Sequence, residues 1–334
     1  MIYYMEEYIV RKISKKRNQK YYHKYYDIND QLITDNQYIQ KHTEGFYIPP
    51  AYDNVKINLH KKNKVRAIGY DTKNRPQYIY NKEFITQQQD KKFNHMVHFG
   101  KKFNTINRKI NEDLYSVKDS KEKQIAIILK LIMDCHFRVG NERYNKENKS
   151  YGTTTLEIKH MKVKKNEVII DFIGKKKVRN ICTVKNKRVV KSLREKKRTH
   201  KKNDRIFSYR KGEKYFTIQS RDVNHYLKQF GKFTTKNFRT WGANIELITQ
   251  LLHHSKKNNS KTKKENQAIL KQSIEKVASK LHNTPAVCKS NYLDPELIRF
   301  FTNDSNGFSK KFLQDNKINR ETICKEYITF LESI

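Results

Sequence analysis

Glycine is scarce in this chain. Its 334 residues include 10, at positions 45, 69, 100, 140, 152, 174, 212, 231, 242 and 307, and no two lie closer than eleven residues apart. Loops that cradle phosphates on backbone amides need glycines at short fixed spacing, so neither GxxxxGK[ST] nor GxGxxG can be written anywhere. That excludes a P-loop ATP-driven motor and a Rossmann dehydrogenase. Cysteine is sparse as well: Cys135, Cys182, Cys288 and Cys324 are scattered and form no CxxC pair. The expectation is no disulfide scaffold, no zinc ribbon and a reducing compartment. No HExxH occurs, and His95 with His98, or His253 with His254, lack a third ligand at a recognisable spacing, so no metal is expected. No apolar run approaches the ~18–20 residues of a membrane span. The opening MIYYMEEYIV is acidic where a secretory leader would be basic. Acidic residues are few overall, 34 against 72 Lys and Arg, which leaves a formal net charge of +38. Solubility needs far less, so the expected partner is a polyanion, nucleic acid or an anionic membrane surface. Aromatics, by contrast, reach 12%, more than a disordered basic tail carries, so a packed core is expected.

Along the chain, the first ninety residues read as short strands broken by turns. Pro49-Pro50 lacks two amide donors and marks a sheet edge or the start of a strand. Val65 to Asp71 and Gln77 to Tyr80 flank the turn Lys73-Asn74-Arg75-Pro76 and read as a hairpin. Helical periodicity begins near residue 84, and Ile125, Ile128, Leu129 and Ile132 mark one face of a helix over 121–133. Residues 154–173 return to strands, and a second strand over 178–184 follows the basic turn Lys175-Lys176-Lys177. From Val223 onward the chain reads as mostly helical, with a solvated loop at 255–265 (SKKNNSKTKKE). The fold class is therefore α+β: a small β-rich N-terminal domain over 1–88 and a larger, mainly α-helical domain over 89–334. Lys and Arg occur throughout both halves, interleaved with Tyr, which suits a folded body that encloses a duplex better than a basic arm.

Four segments stand out for anion chemistry: Arg138 to Tyr144, Phe172 to Val178, Lys236 to Asn244 and Leu281 to Tyr292. Singly, each has an ordinary reading as a surface cation, a solvated turn or a half-buried tyrosine. In this order, together with Ile48-Pro49-Pro50-Ala51-Tyr52, Ala67-Ile68-Gly69-Tyr70-Asp71 and Gln77-Tyr78-Ile79-Tyr80, they resemble the type IB DNA topoisomerase family, in its short poxvirus-like branch. The likeness runs over roughly residues 45–300. It implies a clamp around double-stranded DNA that cleaves one strand through a 3′-phosphotyrosyl link, lets the duplex swivel and reseals it, relaxing supercoils of either sign. It further implies a monomer with no cofactor and no nucleotide, at DNA inside a cell and, for a virus, in the virion and the cytoplasmic replication site. Lys-, Asn- and Ile-rich usage points to an AT-rich genome, that of a large DNA virus or of an AT-rich cell.

By the resemblance, Tyr292 is the nucleophile and Arg138 and Arg239 clamp the non-bridging phosphate oxygens. Lys175 is the general acid and Lys236 a second basic group. Asn283 stands where poxvirus enzymes carry histidine and related bacterial enzymes carry Asn. His282 is one residue out of register and is taken as non-catalytic. Gln77, Tyr78 and Tyr80 match a strand that reads the major groove, with the alternative that the tyrosines are ordinary strand residues; Tyr144 matches a phosphate contact, with a core reading beside it. Two departures stand out. Lys176 follows Lys175 where the family often has Asp, which leaves the acid open within Lys175-Lys176-Lys177, and Asn141 and Arg143 replace lysines.

Elementary chemistry suits these roles. A phenol of pKa ~10 needs cations to act as a nucleophile at neutral pH. Charge builds on the equatorial oxygens during in-line attack at phosphorus, and two permanently charged guanidiniums match it. The departing 5′-oxygen needs a proton, which a lysine on a turn can deliver. One ester replaces another, so no ATP is needed. Two rivals remain. A tyrosine recombinase shares the fold but places His three residues before the second arginine, where this chain has Lys236, and the 53 residues from Arg239 to Tyr292 exceed its expected spacing. A non-catalytic architectural protein would need only the charge and would give Tyr292 no role. A membrane surface fits less well, since no basic amphipathic anchor is evident.

Overall fold

Alternating apolar residues fold the first part of the chain into an antiparallel sheet. In the computed structural model, which describes residues 5–18, 20–255, 262–313 and 317–334, β1 (Tyr8–Arg17), β2 (Lys20–Tyr26) and β3 (Leu32–Ile33) lead to a short helix, α1 (Asn36–Thr43). β4 (Asp53–Asn58), β5 (Val65–Tyr70) and β6 (Pro76–Tyr80) follow. The strand order is β3-β2-β1-β4-β5-β6. Ile9, Val55, Ile57 and Ala67 bury one face of the sheet with Ile48. The α1 helix escapes the periodicity argument because it has no fully buried residue; the Asp35 side chain caps it, accepting from the amides of Gln37 and Tyr38.

The Pro-Pro segment runs just ahead of β4. Its carbonyls meet the two terminal nitrogens of the Arg11 guanidinium, which is 5% exposed. Arg11 donates to the carbonyls of Ile48 (3.3 Å), Pro49 (2.7 Å) and Tyr52 (3.1 Å), so a buried cation and a donor-poor loop complete one another. β5 and β6 form the expected hairpin, with Ile68 opposite Tyr78 and Gly69 opposite Gln77. Asp71 organises its turn. It accepts from the amides of Lys73 and Arg75 and from the Arg75 guanidinium (2.6 Å), which together hold its carboxyl down at about 2.

Helix α2 (Lys82–Tyr115) buries Phe93, Met96, Phe99, Ile106, Ile110 and Leu114 along one stripe. The chain divides into two compact units, Met1–Lys92 and Phe93–Ile334, whose boundary falls within this helix, as does residue 88. Helix α3 (Lys121–Cys135) carries the expected stripe but is buried more widely: Ala126, Ile127 and Leu131 are also inside, so it is a central helix rather than a one-faced one. α4 (Glu142–Asn148) follows.

Residues 154–160 are not strand, as the sequence suggested, but two tight 3₁₀ turns over Thr153–Thr155 and Ile158–His160. The threonine hydroxyls bond to nearby carbonyls and draw the backbone away from a ladder. The strands come later: β7 (Met161–Val163), β8 (Val168–Ile173) and β9 (Arg179–Val184), in the order β7-β8-β9.

Beyond them lie α5 (Lys187–Thr199), the hairpin β10 (Ser208–Lys211) and β11 (Lys214–Thr217), α6 (Ser220–Leu227) and α7 (Thr235–Ser255). Then come α8 (Lys263–Lys280), α9 (Pro285–Asn291), α10 (Pro295–Asn303), α11 (Ser305–Phe312) and α12 (Arg320–Glu332). The loop expected at 255–265 needs correction at both ends. Ser255 closes α7, and Thr262 caps α8 in a reciprocal box with Glu265; positions 256–261 lie outside the described residues. Among the described residues no helix is long and apolar enough to cross a membrane.

The cysteine expectation also needs correction. Cys135 and Cys182, 47 residues apart, form a disulfide between the end of α3 and β9, whereas Cys288 and Cys324 are free. Sequence spacing was blind to this pair because only packing of a helix end on a strand brings the two sulfurs together.

Candidate active site

Tyr292 stands at the joint between α9 and α10. Thr284 caps α9 and Pro285 opens it, while Asp294 caps α10 and Pro295 opens it, so two helix starts only ten residues apart force the chain to turn at Tyr292. Asn244 on α7, fully buried, pins that turn. Its amide donates to the Tyr292 carbonyl (2.9 Å) and its amide oxygen accepts from the Asp294 backbone N–H (2.8 Å).

Arg239 lies on the same helix and is 4% exposed. Its Nη2 donates to the Leu281 carbonyl (3.1 Å) and to the Tyr292 hydroxyl (3.4 Å), and its guanidinium carbon is 5.2 Å from the centre of the tyrosine ring. Nε and Nη1 are buried with no hydrogen-bond partner. Burial disfavours the charge and lowers the Arg239 pKa, but a guanidinium starts high enough to remain a cation. Two unpaired charged donors in a site this dry are costly unless an anion meets them.

Arg138 is half-buried and reaches the same place from another direction. α3 ends at His136, whose backbone is left-handed (φ 52°), and the chain then runs through Arg138 to Gly140. The Arg138 carbonyl accepts from Thr153 N–H (2.8 Å) and the Val139 carbonyl from Thr154 N–H (2.7 Å). Gly140 (φ +96°) crosses Gly152 so closely that a Cβ on Gly152 would sit 2.4 Å from the Gly140 Cα, which is why both are glycine. From this loop Arg138 Nη2 donates to Asn283 Oδ1 (2.6 Å). Asn283 sits after a left-handed residue, His282 (φ 53°), and donates to the Leu281 carbonyl (3.3 Å). The His282 ring packs 5.7 Å from Phe137.

The structure thus gathers Tyr292, Arg239, Arg138 and Asn283. Burial alone would raise the phenol's pKa. The charge and hydrogen bond of Arg239, with Arg138 and Asn283, outweigh it and lower the Tyr292 pKa below its ordinary value.

Two other candidates stand apart from that cluster. Lys175 is exposed in the 3₁₀ turn Lys175–Lys177 between β8 and β9, where Lys176 (φ 60°) and Lys177 (φ 59°) are left-handed. Among the described residues no hydrogen bond joins it to Tyr292, Arg138, Arg239 or Asn283. The turn's base is tied to the segment that crosses the Arg138 loop, since Tyr151 N–H, beside Gly152, donates to the Ile173 carbonyl (2.8 Å). A Cβ at Gly174 would lie 2.6 Å from the Asn180 amide nitrogen, so the turn closes tightly there. Lys236 is exposed on α7, one helical turn before Arg239.

In the N-terminal unit, Tyr78 and Tyr80 are half-buried and stack with ring centres 6.3 Å apart, while Tyr80 also meets Phe84 at 5.6 Å. Ile79 between them joins the small core, so alternation turns the two tyrosines to the other face. The Gln77 amide donates to Asp71 (3.1 Å). Tyr144 is 59% exposed on α4.

Sequence reasoning gave no role to Asn244, although it ends the third singled-out segment. It also passed over Arg205, which donates to Glu142 (2.9 Å), Asn145 (2.9 Å) and the Thr155 carbonyl and so bolts α4 to the 3₁₀ turn. A lone Arg in the loop between α5 and β10 carries no local signal of such a hub.

The family model described as "Eukaryotic DNA topoisomerase I, catalytic core" matches residues 81–313. A protein of Acanthamoeba polyphaga mimivirus named DNA topoisomerase 1B is 29% identical over 314 residues, which cover 91% of this chain and 92% of that one. A vaccinia virus (strain Copenhagen) protein of the same name is 26% identical over 279 residues, covering 78% and 84%. The monkeypox virus protein named DNA topoisomerase I matches to the same extent.

Proposed function

Since this chain belongs to the type IB DNA topoisomerases, in their poxvirus-like viral branch, we propose that it relaxes positive and negative supercoils by cutting and resealing one strand at Tyr292. The observation that carries the reading is Arg239: a cation 4% exposed, bonded to the Tyr292 hydroxyl, with two buried donors unmet. A scissile phosphate at the tyrosine would meet them. Tyr292 Oη gives its proton to water and attacks phosphorus, forming the 3′-phosphotyrosyl ester as the bond to the 5′-oxygen breaks. Arg239, Arg138 and the Asn283 amide stabilise the non-bridging oxygens, and Lys236 adds positive charge nearby. Lys175 passes its proton to the departing 5′-oxygen, its turn closing when DNA is bound. Religation runs the same steps backward. Ester exchanges for ester, so the cycle draws on no ATP, and the guanidiniums supply the countercharge that a metal ion would otherwise bring. The chain acts as a monomer whose two units close around duplex DNA, the net charge of +38 supplying the attraction. Gln77, Tyr78, Tyr80 and Tyr144 face the duplex.

The test is relaxation of negatively and positively supercoiled plasmid in EDTA without ATP. The wild type should relax both, and Tyr292→Phe should bind DNA but relax neither. Binding without relaxation by the wild type would overturn the reading.

A further inference from the structure

The disulfide joins two elements that bear different parts of this site. Cys135 ends α3, three residues before Arg138, and Cys182 lies in β9, seven residues after Lys175. β9 is an edge strand of its sheet, so only β8 holds it by a ladder. Asn180, Cys182 and Val184 alternate inward from it, and the covalent bond from Cys182 fastens it to the helix. Close to the turn, Tyr151 N–H donates to the Ile173 carbonyl and the Phe172 ring meets Phe137 with centres 4.9 Å apart, so these non-covalent contacts share with the disulfide the tie to the segment that carries Arg138. A cavity of about 910 Å³ opens beside both cysteines, with Asp134, Arg179, Glu246, Lys280 and Arg320 on its walls. A small thiol can therefore reach the sulfurs, and the exchange it starts runs through its thiolate.

We propose that Cys135 and Cys182 are a redox-modification site, a reversible latch that sets the Lys175 turn against Arg138. With the disulfide closed, the hairpin is anchored so that DNA binding can bring Lys175 to the 5′-oxygen. With it open, the edge strand loses its covalent anchor and proton delivery slows. Opening consumes two equivalents of a low-molecular-weight thiol, which passes through a mixed disulfide and leaves two protein thiols and one small disulfide. Closing is the reverse, with that small disulfide as the oxidant. Cys288 and Cys324 are already free, so among the described residues this is the one bond that such reagents would change. The latch rests on the reading of Lys175 as the proton donor.

The experiment is single-turnover cleavage by the full chain, oxidised with glutathione disulfide or reduced with dithiothreitol, beside Cys182→Ser, with the thiols counted in each sample. Two duplexes are compared: one with an ordinary scissile phosphodiester, the other with sulfur in place of the 5′-bridging oxygen, whose thiolate leaves without a proton. The reduced wild type and Cys182→Ser should cleave the ordinary duplex about tenfold more slowly than the oxidised enzyme, as misplacing a reacting group does. The variant should ignore the redox state, and the difference should vanish on the sulfur duplex. Should the variant fail to fold, the wild type under dithiothreitol carries the comparison alone. Equal rates in the two verified redox states would overturn the latch, and so would a defect that persists undiminished on the sulfur duplex. Failure of the oxidised enzyme to cleave either duplex would instead overturn the function proposed above, and the latch with it.

Discussion

Tyr292 and Arg239 form a pair in which each corrects a difficulty the other has. A phenol 8% exposed should resist ionisation, and a guanidinium 4% exposed should resist burial. Side by side, the cation favours the phenolate and the phenolate favours the cation. The net result is a Tyr292 pKa below its ordinary value despite burial. In the proposed reaction the phenolate attacks, so cleavage by pre-bound enzyme should rise with pH and level off before the ordinary tyrosine value of about 10. Arg239→Ala removes the lowering influence but leaves the burial. Its profile should therefore shift to higher pH, with the rate at neutral pH down by about 10²–10³-fold. Single-turnover cleavage between pH 6 and about 10.5 measures both effects, and an unshifted profile would sever the link between Arg239 and the phenol.

Elements hold these groups through contacts that look incidental along the chain. Asn244 on α7 staples the backbone on both sides of the α9–α10 joint, and Arg205 fastens α4 to the 3₁₀ turn. The crossing of Gly140 and Gly152 sets the path of the Arg138 loop. A Cβ at Gly152 would meet backbone rather than a pliable side-chain tip, so the loop itself would have to move. Gly152→Ala should thus slow cleavage by about tenfold or more, through displacement of Arg138, while DNA affinity changes little. Parallel loss of affinity and rate would indicate that the loop's main work is binding.

Charge acts at the level of the whole molecule. A surplus of +38 spread over both units acts on DNA through counterion release more than through any one contact. Binding should weaken steeply with salt, with a slope of roughly −0.9 per phosphate neutralised. Tyr292→Phe should keep that slope, since it removes no charge. Titrations of both proteins across a series of salt concentrations would measure it, and a flat response would leave the charge without its expected polyanion.

Signals that lie within a few residues were legible in the sequence: the hairpin around Asp71, the apolar stripe of α3 and the basic turn that carries Lys175. The members of the site were legible as well, since Arg138, Arg239, Asn283 and Tyr292 stand in short segments whose order is itself informative. Other features were not. α1 has no fully buried residue and so shows no period, and Thr153 and Thr154 bond to the Arg138 and Val139 carbonyls where β-branched residues suggest a strand. Contacts between distant positions were hidden as well. Arg138 meets Asn283 across 145 residues, Asn244 meets the Tyr292 carbonyl across 48, and Cys182 meets Cys135 across 47. The sequence by itself determined which chemical groups are present and the local preferences of the backbone around them. Only the tertiary structure decided which groups touch, because packing of α3, α7 and α9 in one core sets those distances, and no periodicity or spacing along the chain encodes them.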